Sequence, residues 1–157
     1  MQLNELIKSL NEVAGGEFTV ENDTCTIGID DMVVTIQEIA EEGIITTYAE
    51  IGEPPPQGLE QLLDSMLQAN YLFQGTGGAT ISRDPESGKF FLCRCDASDT
   101  LDGEKFLKMV EKFVNVLETW VKLLANYRPA EESQSADMAG QTAESDYSSR
   151  FDTFMHV

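Results

Sequence analysis

Residues 24–51 read TCTIGIDDMVVTIQEIAEEGIITTYAEI, and their reading decides the fold. Thr24 to Ile29, Met32 to Ile39 and Ile44 to Ile51 are rich in Ile, Val and Thr, side chains that suit a pleated, half-buried surface. Asp30-Asp31 separates the first two runs, and Glu41-Glu42-Gly43 the next two. Short β-prone runs divided by such turn-forming residues predict three antiparallel strands joined by tight turns. Alternation on strands this short leaves the inward and outward faces open by one register.

Helical periods lie on either side. Leu3, Leu6, Ile7, Leu10 and Val13 recur at helical spacing and predict a first amphipathic helix, stopped by Gly15-Gly16. Pro54-Pro55-Pro56 lacks the amide hydrogens a sheet ladder needs and reads as a rigid connector. A second helix is expected from about Leu59 to Leu72, with Leu59, Leu62, Leu63, Met66 and Leu67 on one side; Gly75, Gly77 and Gly78 break it. Ala79 to Arg83 and Lys89 to Cys95 then form a hairpin around the turn Asp84-Pro85-Glu86-Ser87-Gly88. Asp102 caps a third helix that runs to about Tyr127 along Phe106, Val110, Phe113, Leu117 and Trp120. The order is α-β-β-β-α-β-β-α: an α+β domain over residues 1–128 with a five-stranded antiparallel sheet and three helices. After Pro129 the composition shifts to Ala, Ser, Glu, Gln and Asp, so residues 129–157 read as an acidic, disordered tail with Phe151, Phe154 and Met155 near its end.

The charge balance narrows the partners. There are 28 Asp plus Glu against 10 Lys plus Arg, a formal net charge of -18. That field repels nucleic-acid phosphates and anionic lipid, which makes both poor partners, and it suits a basic or mixed one. No basic segment followed by an apolar one opens the chain. No apolar run approaches the roughly 20 residues of a membrane helix, so membrane insertion is not expected. The expectation is a cytoplasmic protein whose three cysteines, Cys25, Cys93 and Cys95, are reduced.

No reaction chemistry emerges from the residues. Gly75-Thr76-Gly77-Gly78 lacks the Lys and the following helix of a phosphate loop, and instead follows a helix and precedes a strand. Its glycines suit a helix end and a tight turn. Cys93-x-Cys95 places two thiols on one strand face, but zinc wants two further ligands. The single histidine, His156, lies in the expected tail, which opposes a Ser-His-Asp or Cys-His arrangement. The acidic pairs fall in turns and on solvated faces and show no calcium-loop pattern. The chain reads as a protein that is not an enzyme and carries no cofactor or metal.

The most specific signal lies in residues 62–120. Leu62-Leu63 leads through Asn70-Tyr71-Leu72-Phe73 to Gly75-Thr76-Gly77-Gly78-Ala79-Thr80-Ile81. Asp84-Pro85-Glu86-Ser87-Gly88, Leu92, Leu101-Asp102, Phe106, Phe113 and Trp120 follow in order. This pattern resembles the Tir chaperone (CesT) family of class I type III secretion chaperones, and the order of elements is similar over about residues 1–128. The resemblance implies a two-fold homodimer joined through the second helix and the strand after it, here Leu59, Leu62, Leu63, Met66, Leu67, Asn70 and Ala79. It implies a secreted effector as client, whose N-terminal segment threads around the dimer in extended form without ATP. Apolar client side chains would then meet the first helix and the sheet, with Leu3, Leu6, Ile7, Leu10, Val34, Ile36 and Ile45 as the expected lining. A secretion-apparatus ATPase is a further partner in view. The alternative is a regulatory interaction module of the same fold whose partner is never exported.

Overall fold

The computed structural model describes residues 2–130. Three helices, α1 (Gln2–Ala14), α2 (Leu59–Asn70) and α3 (Gly103–Ala125), accompany five strands. The strands are β1 (Thr24–Ile29), β2 (Met32–Ile39), β3 (Ile44–Gly52), β4 (Thr80–Arg83) and β5 (Phe90–Ala97). All pairs are antiparallel, in the order β1-β2-β3-β5-β4. The expected α+β architecture and element order are therefore present. The expected tail, from residue 131 onward, lies outside the described residues, and so do Phe151, Phe154, Met155 and His156.

One sheet face is buried. Cys25 and Ile27 of β1 lie beside Val34 and Ile36 of β2, because the register pairs Cys25 with Ile36 and Ile27 with Val34. Ile45 and Ala49 of β3, with Phe90 and Leu92 of β5, continue that face. Against it pack Leu3, Leu6, Ile7 and Leu10 of α1 and Phe106, Val110, Phe113 and Leu117 of α3, forming one contiguous core. This register settles which strand residues point inward. Val13 was expected on the apolar stripe of α1 but is 72% exposed. It occupies the last turn of the helix, past the stretch that the sheet covers.

Helix α3 begins where its cap dictates. The Asp102 carboxylate accepts the Lys105 backbone N–H at 2.8 Å, one of the donors a helix start leaves unpaired. That bond, with the Lys105 side chain nearby, holds the Asp102 carboxyl below its ordinary titration range. A folded-state value below the unfolded one stabilises the fold above the ordinary Asp range. The contribution is lost as pH falls through the depressed value. Asp102→Ala should therefore lower the melting temperature at neutral pH, and the gap to the parent protein should close on acidification. A gap that stays constant down to strongly acidic pH would show that the carboxylate does not act as the cap.

The α2 end differs from the sequence reading. Apolar spacing carries the helix to Leu72, but α2 stops at Asn70. The Asn70 side chain is turned onto β4: its Nδ2 donates to the Ile81 carbonyl at 3.1 Å, and its Oδ1 accepts the Ile81 N–H at 2.8 Å. Tyr71 is extended, and Leu72 and Phe73 take φ of 51° and 57°. A tight turn through Gly77 and Gly78, both at positive φ, then delivers the chain to β4.

Candidate partner-binding surfaces

The segment after α2 is a strained, apolar knuckle. Left-handed backbone costs bulky residues of order 1–3 kcal/mol each, so Leu72 and Phe73 keep it only where neighbours enforce it. The restraints are visible. Gly75 N–H donates to the Ala69 carbonyl at 2.9 Å, and Gly77 N–H to the Phe73 carbonyl at 3.0 Å. The Trp120 indole N–H on α3 donates to the Gly75 carbonyl at 2.9 Å. The result presents Tyr71, Leu72 and Phe73 to solvent, and Leu67 on α2 is 69% exposed beside them in sequence. Four large apolar side chains held outward within seven residues mark an interaction surface.

The residues expected at a two-fold interface divide by burial. Leu62, Met66 and Ala79 are at most 3% exposed and belong to the monomer core. Asn70 is half-buried and occupied by Ile81. Leu59 and Leu63 are partly buried against the core, and Leu67 is open. Sequence reasoning missed Tyr71, Leu72 and Phe73 as exposed groups, because it assigned Tyr71 and Leu72 to a continuous helix.

All seven residues expected to line client pockets are buried: Leu3, Leu6, Ile7, Leu10, Val34, Ile36 and Ile45 are 0–9% exposed. They hold α1 against the sheet and offer no side chain to a client in this conformation. The opposite sheet face is uncovered by any described residue. Its row Thr26, Thr35, Tyr48, Cys93 and Thr80 crosses all five strands in register. A groove of ≈ 350 Å³ lies on it, lined by residues that include Thr46, Tyr48, Thr80, Cys93 and Cys95.

The two sheet edges are unequal. β4 is four residues long, and the Asn70 side chain occupies both outward backbone groups of Ile81. β1 is six residues long and pairs on one side only, with β2. The charge is just as uneven. Between Ser9 and Ser82 there are thirteen Asp and Glu and no Lys or Arg. Strands β1 to β3 and helix α2 all fall in that span, and the Lys89–Glu50 pair at 2.9 Å is the described ion pair that reaches into it.

The model of the Tir chaperone protein (CesT) family matches residues 3–121. The chain belongs to that family. No curated protein matches it. Solved structures match the fold: a chain of the ExsC-ExsE complex at 19% identity and a TM-score of 0.65, covering 78% of this chain and 93% of that one. A chain of the HopA1-SchA chaperone-effector complex follows at 14% identity and TM-score 0.61, covering 78% and 98%. The structure of the Yersinia pestis type III secretion chaperone SycH with a fragment of YscM2 matches at 18% and TM-score 0.59, covering 76% and 99%.

For this member of the CesT family the remaining chemistry is quiet. Burial raises the Cys25 and Cys93 thiols above their ordinary range, the latter opposed by a hydrogen bond with Ser82, so neither is primed as a thiolate. Among the described residues no group of three or more His, Cys, Asp or Glu is placed to hold a metal. Among them too, no helix is long and apolar enough to cross a membrane.

Proposed function

We propose that the chain is a homodimeric type III secretion chaperone of the bacterial cytoplasm. It holds the N-terminal segment of an effector in extended form and keeps it soluble and competent for export. The observation that carries this reading is the exposed knuckle of Leu67, Tyr71, Leu72 and Phe73 in a chain of the CesT family. Such a surface needs a partner, and a second copy supplies an identical patch in an isologous contact. Dimerisation then leaves the free β1 edge and the exposed side of α1 for the client. An added strand gains affinity from backbone hydrogen bonds and selectivity from alternate side chains. Ordering an extended client costs free energy, which favours a long contact wrapped around both copies. The acidic surface speeds encounter with basic client segments and keeps the exposed apolar groups soluble. Delivery of the loaded complex to a secretion-apparatus ATPase would complete the cycle.

Co-expression with the protein encoded beside this one, followed by pull-down and solution mass, tests the reading. The expected product is two copies with one client, in which the client's N-terminal segment alone resists protease. A clean dimer that captures nothing would overturn the export role and direct the search to a regulatory partner that is never exported.

A further inference from the structure

The described residues end beside the start of α2. The Tyr127 hydroxyl donates to the carbonyl of Gly58, the residue before α2, at 2.8 Å. Pro129 lies so near that a Cβ added to Gly58 would come within 2.5 Å of the proline Cβ. Glycine at this position, with φ of 73°, lets the two segments meet. From this exit an exposed stripe runs along α2. Glu60, Asp64 and Leu67 recur at the i, i+4, i+7 spacing of one helix face and lead to Tyr71. The stripe is acidic near the exit and apolar at the knuckle, where Leu67, Tyr71, Leu72 and Phe73 are each at least 52% exposed. Neither Glu60 nor Asp64 takes part in a described ion pair.

The sequence that follows has the chemistry to cover this stripe. Residues 131–150 carry five carboxylates and, until Arg150, no Lys or Arg. Phe151, Phe154 and Met155 come next, at the i, i+3, i+4 spacing by which a helical turn fills an apolar groove. Like charge keeps the acidic stretch off Glu60 and Asp64, whereas Arg150 is drawn to them. Reach is ample. Helix α2 has twelve residues and is about 18 Å long, and the twenty residues from 131 to 150 can span up to about 70 Å.

We propose that the chain covers its own knuckle: Phe151, Phe154 and Met155 seat on Leu67, Tyr71, Leu72 and Phe73, with Arg150 beside Asp64. The contact is small, but the tether makes it intramolecular and so sustains it. A second copy needs the same patch, so the cover competes with dimerisation. That consequence, unlike the cover itself, rests on the two-fold contact proposed above. Both copies must open before they pair, so a cover closed about two-thirds of the time in each raises the dimer dissociation constant roughly tenfold.

The test uses the full chain with the photocrosslinker p-benzoylphenylalanine in place of Phe154, mixed with an excess of unsubstituted chain labelled with heavy nitrogen. Illumination and peptide mass spectrometry should join the probe to residues 67–73 of its own light chain. In sedimentation equilibrium the full chain carrying both Phe151→Ser and Phe154→Ser should dimerise roughly tenfold more tightly than the parent. Crosslinks confined to other residues, crosslinks to heavy chains alone, or none at all would overturn the cover. A dimer that loosened in the Ser variant would do the same, since it would place the segment on the partner copy. In each of those cases the two-fold contact is still judged separately, by the mass of Leu67→Glu. A crosslink to residues 67–73 of the light chain with an unchanged dissociation constant keeps the cover and overturns the two-fold contact through this patch.

Discussion

Leu67→Glu should halve the solution mass, from twice 17.4 kDa to 17.4 kDa, and leave the fold intact. The side chain is 69% exposed in the monomer, so a carboxylate there stays hydrated and folding does not suffer. In the proposed two-fold contact through α2 the same position would be covered. An unpaired charge buried at an interface costs several kcal/mol, and symmetry introduces it twice. Each 1.4 kcal/mol is tenfold in the dissociation constant, so an ordinary dimer would separate at micromolar concentration. Met66→Glu, one position earlier, should act differently. Met66 is 3% exposed in the monomer core, and a carboxylate there should unfold the chain before any interface is read. Light scattering and circular dichroism on the pair separate the two effects. A full dimer mass for folded Leu67→Glu would show that α2 is not the interface.

That contrast shows where sequence reading stops. The boundaries of β1 and β2 follow from apolar runs ended by Asp30-Asp31 and by Ala40 to Gly43, because local composition and the sheet agree there. The Asp102 cap is legible for the same reason: a single carboxylate before an apolar period meets a helix start whatever surrounds it. The end of α2 is not local. Spacing favours helix through Leu72, yet Asn70 is drawn to the Ile81 backbone, eleven residues on, and the helix yields to that contact. Hydrophobicity alone also does not say which apolar residues stay exposed. Leu6, Val34 and Ile45 are apolar and therefore buried, whereas contact surfaces consist of apolar groups the fold fails to bury. Which groups those are depends on how α1 and α3 cover the sheet. The cation-free span from Ser9 to Ser82 is plain in the sequence, but only the fold shows that β1 to β3 and α2 all lie within it.

Trp120→Phe should weaken the dimer more than it weakens the fold. The ring is 4% exposed, and phenylalanine retains most of its packing. What it loses is the indole N–H that reaches the Gly75 carbonyl at 2.9 Å, across 45 residues of sequence. Leaving the part-buried Gly75 carbonyl without that donor costs about 1 kcal/mol, which for a body of this size lowers the melting temperature by on the order of 5 °C. The effect on assembly has a second source. Leu72 and Phe73 are held in left-handed backbone by a few hydrogen bonds around Gly75 and Gly77, and their strain works against those bonds. Slackening Gly75 lets both residues relax, so the proposed dimer would have to order the knuckle again each time it formed. The dissociation constant should rise by about tenfold or more, a cost of roughly 1.4 kcal/mol. A core change remote from the knuckle provides the comparison. Phe106→Leu, in the first turn of α3, should lower the melting temperature by a similar amount and leave the dissociation constant unchanged. Sedimentation equilibrium alongside thermal unfolding reads both quantities. If Trp120→Phe moved the melting temperature and left the dimer as tight as before, the knuckle would hold its shape without the indole, and the restraint would rest on the Asn70 clamp and the glycine turn.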